Sequence, residues 1–347
     1  MNQNGEAQMT DDDGASQFLE SSIRPDEFME GQLQRTLNDV GLLLKHESEF
    51  VQITCPACGS TRRGNSFIKF GLRHALCDEC GTTYVNPRPR PEHLAEYYEK
   101  SEDWAYWSAH VFPASETARR EKVFIPRVRR LIDMCRRFGS RTGTIAEVGA
   151  GFGIFCDEIK KSGTFSRVIA IEPNPSLARN CRERGVETLQ QPFDQVDIEN
   201  GSLDVLASYE VIEHLFDPRA FLRKCHALLA PGGLLVISCP NSAGFDALVL
   251  GESWGSFDLG HLNLFNLDSL SALLHACGFR VIERTTPGKL DAELVRKEVL
   301  AGTCDLGQQP FLKEILIRRW QEVGAQFQRF LSDNLLSSHM VFAAQKQ

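Results

Sequence analysis

The chain has 347 residues, 42% of them hydrophobic and 24% charged, with a formal net charge of −8. That length holds one large or two smaller domains with a sizeable core, and the acidic balance counts against a general nucleic-acid binder while leaving room for a local basic patch. The opening residues carry neither the basic nor the apolar region of a secretory signal, and no apolar run is long enough to span a bilayer.

Cysteine usage points to compartment and metal. There are 11 cysteines, an odd number, most of them single within periodic segments. That pattern suits a reducing cytosol better than a disulfide framework. Residues 1–50 read as a loose acidic tail to about Ser16, then a helix from Pro25 with Leu33, Leu37, Val40 and Leu44 on one face, packing across a neighbouring domain. Residues 51–90 carry Cys55-Pro-Ala-Cys58-Gly59 and, after 18 intervening residues, Cys77-Asp-Glu-Cys80-Gly81. Two C-x2-C knuckles at this distance are a zinc-site spacing, and the glycines permit the positive φ that turns backbone N–H groups toward sulfur. Four thiolates leave the metal no open position, so its role is structural. Between the knuckles, Arg62, Arg63, Lys69, Arg73 and His74 form either a phosphate-contacting fingertip or an ordinary solvated face.

Residues 91–140 read as a helical linker. A helix over Glu92–Lys100 carries Tyr97 and Tyr98, and Trp104, Tyr106 and Trp107 follow, lining a pocket or sealing a junction. A long basic helix from Ser115 to Phe138 places Phe124, Val128, Leu131, Cys135 and Phe138 on one face, and Gly139 ends it.

Residues 141–347 alternate strands and helices in α/β fashion. A strand, Thr144–Val148, includes Glu147 and runs into Gly149-Ala150-Gly151-Phe152-Gly153 and a helix, Ile154–Lys161. Strand, glycine turn, helix lets backbone approach a bound nucleoside: Gly149 makes the turn, Gly151 leaves room for ligand, and Gly153 lets helix pack on strand. The nicotinamide fingerprint needs a glycine where Ile154 stands. A second strand, Arg167–Ile171, ends in Glu172-Pro173, and Glu172 lies 23 positions after Gly149, where a carboxylate can accept both ribose hydroxyls. Asn174 caps a helix to Arg184. Thr188–Gln190 reads as a weak strand, and Gln191, Phe193 and Asp194 fall where an adenine would lie. Then come a strand, Leu203–Ser208, the stretch Tyr209-Glu210-Val211-Ile212-Glu213-His214, a helix over Leu215–Leu229, a Pro231-Gly-Gly233 turn and a strand, Leu234–Ser238. A helix from Asn266 or Asp268 to Cys277, a strand over Arg280–Thr285 and a closing strand over His339–Ala344 follow. A helical insertion at about 289–333 separates the last two. Its helices, Lys289–Leu300 and Pro310–Leu331, carry a stripe of Leu312, Leu316, Trp320, Val323, Phe327 and Phe330. That stripe packs on the sheet, covers a pocket or makes a homodimer contact.

The motif from Glu147 to Gly153 resembles the first motif of class I S-adenosylmethionine-dependent methyltransferases. The E-V-I-E-H-L-x-D-P and L-x-P-G-G stretches resemble the ubiquinone-biosynthesis O-methyltransferase branch, over about Ile125 to Ile282. With the four-cysteine ribbon in front, the chain is similar to bacterial methyltransferases of sugar and polysaccharide pathways, including deoxysugar C-methyltransferases. The resemblance implies a Rossmann-like seven-stranded domain. It also implies S-adenosylmethionine held by Glu147, Gly149, Ala150, Gly151, Glu172, Pro173 and Glu210. The C-methyltransferases have a further C-terminal domain where this sequence has a modest tail, which counts against transfer to carbon.

Methyl transfer to oxygen needs alignment and a base, and histidine suits neutral pH. His214, after the fourth strand, and His261, in Gly260-His-Leu-Asn-Leu-Phe265, are the two candidates, with His261 preferred. Glu210, Glu213 and His214 at spacing i, i+3, i+4 would share a face of a helical turn. Some quinone-pathway relatives use such a triplet for magnesium, but a metal-free role is favoured here. The expected acceptor is a small hydroxylated molecule such as a nucleotide-activated sugar or glycan precursor. Alternatives are a phenolic quinone precursor, RNA held by the ribbon, as in ribosomal guanine-N1 methyltransferases, and a non-catalytic cofactor-binding protein.

Overall fold

The computed structural model describes residues 18–347, so the tail read as loose up to Ser16 lies outside the described residues. Helix α1 (Gln32–Leu44) starts after the left-handed Gly31 rather than at Pro25. The ribbon follows as antiparallel strands β1 (Arg63–Lys69), β2 (Leu72–Cys77) and β3 (Thr83–Val85). Helices α2 (Pro91–Lys100) and α3 (Glu102–Tyr106) come next.

The apolar stripe expected on α1 is only half used. Leu43 is buried, but Leu33 and Leu37 are exposed. The helix turns Asp39 inward instead, because the start of α3 needs an acceptor: the Ser101 hydroxyl and the Glu102 and Asp103 N–H groups all donate to its carboxylate, at 2.6, 2.9 and 3.2 Å. The basic helix also departs from its expected form. It is α4 (Phe112–Arg119), a π-helical turn over Arg120–Phe124, and α5 (Ile125–Phe138), closed by left-handed Gly139.

The α/β portion runs β4 (Thr144–Val148), α6 (Ile154–Ser162), β5 (Arg167–Ile171), α7 (Pro175–Glu183), β6 (Glu187–Leu189), β7 (Leu203–Tyr209), α8 (Pro218–Leu228), β8 (Leu229–Pro240), α9 (Phe245–Leu250), β9 (Asn263–Leu264), α10 (Leu267–Ala276), β10 (Phe279–Thr285), α11 (Asp291–Leu300), α12 (Pro310–Lys313), α13 (Trp320–Asp333) and β11 (His339–Lys346). The seven-stranded sheet has the order β10-β11-β8-β7-β4-β5-β6, with β11 antiparallel to both neighbours. Winding therefore reverses between β4 and β7, the position where α/β sheets open a crevice at their carboxyl ends. That reversal sets the glycine turn beside the Tyr209–His214 stretch. The Pro231-Gly-Gly233 segment is not a separate turn. It is an irregularity inside β8, whose pairing with β7 jumps from Leu203↔Leu229 to Val205↔Leu234.

One sheet face packs Leu131 and Met134 of α5 with Phe155 and Ile159 of α6. The other packs Phe221 and Leu222 of α8 with Leu273 and Leu274 of α10, and Cys55, Cys77 and Tyr84 of the ribbon join that same core. The ribbon is thus built into the α/β unit. Its β3 pairs with β9 (Thr83↔Leu264, Tyr84↔Asn263), two residues past His261. Fully buried Arg88 ties the joint by donating to the carbonyls of Val85, Phe216 and Leu262 and to the side-chain oxygen of Asn263.

In the insertion, Leu316 and Trp320 pack with Ala292, Val295 and Leu331, and against Phe245, Val249 and Leu250 around α9, rather than onto the sheet. Phe330 falls outside the stripe and is exposed. Among the described residues no helix is long and apolar enough to cross a membrane.

Candidate active site

The glycine turn is held by backbone and by one acid. The N–H groups of Gly149 and Ala150 donate to the Ile171 carbonyl at 2.9 and 3.3 Å, joining the ends of β4 and β5. The Glu172 carboxylate accepts the N–H of Gly151 at 2.8 Å and that of Asn174 at 2.9 Å, one on each oxygen. Each oxygen keeps lone-pair capacity for a further donor, as two ribose hydroxyls would require. Burial pushes the Glu172 carboxyl up, against the pull of those two N–H groups. A Cβ at Gly151 would meet open space, whereas one at Gly149 would stand 2.5 Å from Val211 and one at Gly153 2.9 Å from Cys181. The third glycine therefore serves close packing on α7 rather than on a strand. Glu147 lies beneath the turn, buried, and accepts from the Cys156 thiol at 3.1 Å; burial lifts its carboxyl to about 8. Phe152, at the tip, packs with its ring 5.0 Å from that of Phe112 and tilted to it by 41°; Phe112 also meets Trp104 and Trp107. The aromatic run before the basic helix thus reaches the glycine turn.

The expected acidic triplet does not form. Glu210 has a positive φ of 57°, and only Ile212–His214 make a 3-10 turn, so the three side chains do not share an α-helical face. Glu210 accepts from the Ser238 hydroxyl at 2.5 Å and lies 3.4 Å from His339. Burial would raise its carboxyl, but His339, Arg127 and Ser238 outweigh that and hold it low.

Glu213 is brought together with both candidate histidines. Glu213, His214 and His261 each offer one ligand atom, all within 4.8 Å of one another, and the two imidazoles stand 4.6 Å apart. His214 Nδ1 faces the Gly260 carbonyl at 3.0 Å and the Tyr98 hydroxyl at 3.1 Å. His261 Nδ1 faces the Ser256 carbonyl at 2.9 Å and the Asp258 carboxylate at 3.2 Å. A carbonyl accepts only from N–H, so each Nδ1 carries the proton and, in the neutral ring, Nε2 carries the lone pair. Glu213 is fully buried, with neither oxygen hydrogen-bonded to a described residue. Burial, and then Glu210, push its carboxyl well up. The centre can therefore hold a cation or keep the proton on Glu213. Burial drives His214 down to about 4, so it is neutral at pH 7.

A family described as a methyltransferase domain matches residues 118–284. The chain is 27% identical over 166 residues to the C-methyltransferase NovU of Streptomyces niveus, covering 46% of this chain and 38% of that one. It is 27% identical over 184 residues to the ubiquinone biosynthesis O-methyltransferase of a Bradyrhizobium species, covering 49% and 65%. Among solved structures, a SAM-dependent methyltransferase from Archaeoglobus fulgidus aligns with TM-score 0.46 at 19% identity, over 68% of this chain and 100% of that one. Just under half of the chain, residues 118–284, is thus similar to a methyltransferase domain. The chain spans about half the length of the curated relatives it matches.

Ahead of the methyltransferase domain, the Sγ atoms of Cys55, Cys58, Cys77 and Cys80 all lie within 4.8 Å of one another, with Cys55–Cys80 at 3.6 Å and Cys58–Cys77 at 3.5 Å. Tetrahedral zinc with bonds of about 2.3 Å sets its sulfurs about 3.8 Å apart, so the cluster fits that ion. Gly59 and Gly81 take positive φ, and their N–H groups close the knuckles onto the Cys55 and Cys77 carbonyls. The fingertip is in part a solvated face, with Arg62, Arg63 and Arg73 exposed. Arg62 pairs with Glu79, Arg63 donates to Gln52 and Ile53, Lys69 donates to the Trp254 carbonyl, and His74 is buried against Phe67.

Sequence reasoning missed Tyr98, Asp258 and His339 as parts of the site. The first two act through His214 and His261 across the fold, and no local spacing marks them. Pro173 lies between Glu172 and Asn174, the residue that caps α7.

Proposed function

We propose that the protein transfers a methyl group from S-adenosylmethionine to a hydroxyl of a small acceptor, most consistently a sugar or glycan precursor. The observation that carries this reading is the pairing, at one end of the sheet, of a nucleoside cradle with a two-histidine centre. When bound, S-adenosylmethionine supplies a methyl group on a sulfonium. Gly149, Ala150, Gly151 and Glu172 hold the nucleoside part, and Glu147 stiffens the turn from below. At neutral pH a ring with a pKa near 4 is a weak base, which moves that role from His214 to His261. Asp258, at 3.2 Å, steadies the proton that His261 Nε2 takes from the acceptor hydroxyl. His214, anchored by Tyr98 and Gly260, positions the acceptor. Zinc in the ribbon holds β3, and through β9 the His261 segment. The free cysteines suit a reducing compartment such as the cytosol. Exposed Leu300, Phe311 and Phe330 offer a second copy an apolar contact.

Likeness to both an O- and a C-methyltransferase supports a small acceptor, and the net charge of −8 weighs against RNA. Incubation with labelled methyl donor and a panel of nucleotide sugars, quinone precursors and total RNA, read by mass spectrometry, tests this. Label on a sugar hydroxyl, lost in His261→Gln, is the expected result; label in RNA alone overturns it.

A further inference from the structure

A cavity of about 360 Å³ opens between α5 and the Pro287–Leu294 segment, beside Tyr209 and Glu210. Five cations line it, Arg24, Lys122, Arg127, Arg130 and Lys289, in a chain whose net charge is −8. The π-helical turn explains how three of them converge. Lys122 and Arg127 are five residues apart, a separation that shares a face across a π turn but not across a regular α turn, and Arg130 follows at i+3.

Each of the cavity's three carboxylates has a hydrogen-bond donor of its own. Asp291 accepts from the Ser337 hydroxyl, the Ser338 N–H and the Gln328 amide. Asp246 accepts from the Trp254 indole at 3.0 Å. Glu210 accepts from Ser238, lies 3.4 Å from His339 and is held low in part by Arg127. Among the described residues neither Lys122 nor Arg127 forms an ion pair with a carboxylate; Arg127 lies over the Tyr209 ring at 4.2 Å. Arg24 is already paired with Glu20 at 3.0 Å, yet five cations against three carboxylates in one cleft is an excess of positive charge of the kind that recognises phosphate.

The cavity also borders the chemistry. Ser256, whose carbonyl fixes His261, lines it, and Val211, next to Glu210, touches the glycine turn at Gly149. We propose that this cavity is an anion subsite that takes the phosphate or diphosphate of the acceptor, leaving the acceptor's hydroxyl end toward His261. As an acceptor subsite it rests on the methyl-transfer reading; as an anion site it does not.

Calorimetry on the full chain, with inorganic pyrophosphate, uridine diphosphate, uridine and S-adenosylhomocysteine as probes, tests it. Pyrophosphate and uridine diphosphate are expected to bind, with affinity falling as salt rises. Uridine should bind at least about tenfold more weakly. The triple variant Lys122→Gln, Arg127→Gln, Arg130→Gln should lose about 30-fold or more in affinity for uridine diphosphate, while S-adenosylhomocysteine binding stays within about twofold. Arg127→Lys, which keeps the charge, should retain most of the binding and guards against misfolding. Anion binding without S-adenosylhomocysteine binding in the unaltered protein would sustain the subsite and remove the methyl-transfer reading. Equal uridine diphosphate affinity in the unaltered and triple-variant proteins, absence of anion binding, or parallel loss of S-adenosylhomocysteine binding would each overturn the subsite.

Discussion

The two halves of the site are built differently. The cradle comes from two consecutive strand ends, and its hydrogen bonds stay within one continuous stretch from Glu147 to Leu189. The histidine centre draws Tyr98, Glu213–His214 and Asp258–His261 from three distant stretches and is steadied by a ribbon that begins near residue 51. A cradle made of local contacts is robust and shared by many proteins, whereas a centre assembled from far-apart segments can be retuned piece by piece. Donor binding and acceptor chemistry should therefore fail separately.

The largest separation is expected from His261→Gln. Loss of a general base lowers kcat by about 10²–10³-fold, while S-adenosylhomocysteine affinity measured by calorimetry stays within about twofold. Equal loss of both would erase the distinction. Next comes the ribbon. Cys77→Ser, or stripping the metal with a chelator, loosens β3 and the β9 segment after His261, so kcat should fall by about 10–100-fold with donor affinity nearly intact, and metal analysis should show zinc lost in proportion. A variant that unfolds outright, by circular dichroism, would show instead that the core shared by the ribbon and the sheet dominates.

Gly149→Ala probes the other half. Its Cβ would meet Val211 at 2.5 Å at a φ of +73°, and S-adenosylhomocysteine should bind about 10–30-fold more weakly. Adding Val211→Ala relieves the clash but not the φ strain, so recovery should be partial.

The smallest effect concerns pH. Burial holds His74 and His214 down to about 4, against an unfolded value near 6.5. Below pH 6.5 the unfolded chain binds protons that the folded chain refuses, so stability falls as pH drops from about 6.5 toward 4. Among the described residues neither ring nitrogen of His74 has a partner, and the ring packs on Phe67 and Phe257. His74→Phe should gain about 1–2 kcal/mol at pH 5 and less at pH 7.5, read from urea midpoints. A pH-independent gain would assign the effect to packing alone.

Legibility in the sequence followed the same division. Strand ends such as Thr144–Val148 and Arg167–Ile171, the Asn174 cap and the four-cysteine cluster were readable because spacing alone dictates them. The expectation for α1 failed at Leu33 and Leu37 because a helix terminus 60 residues away claimed Asp39. The triplet at Glu210 failed because a left-handed residue breaks the periodicity on which the argument stood. Both histidines could be singled out, but not their partners, since Tyr98 meets His214 across 116 residues.

The single surplus residue in the helix at 120–124 has an evolutionary corollary. Deleting one residue there would turn the helix around Lys122 by about 100° relative to α5 and carry Lys122 off the cavity wall. Relatives that handle uncharged acceptors could arise by such an indel rather than by substitution, which makes the length of this helix, more than its composition, the character to compare across lineages.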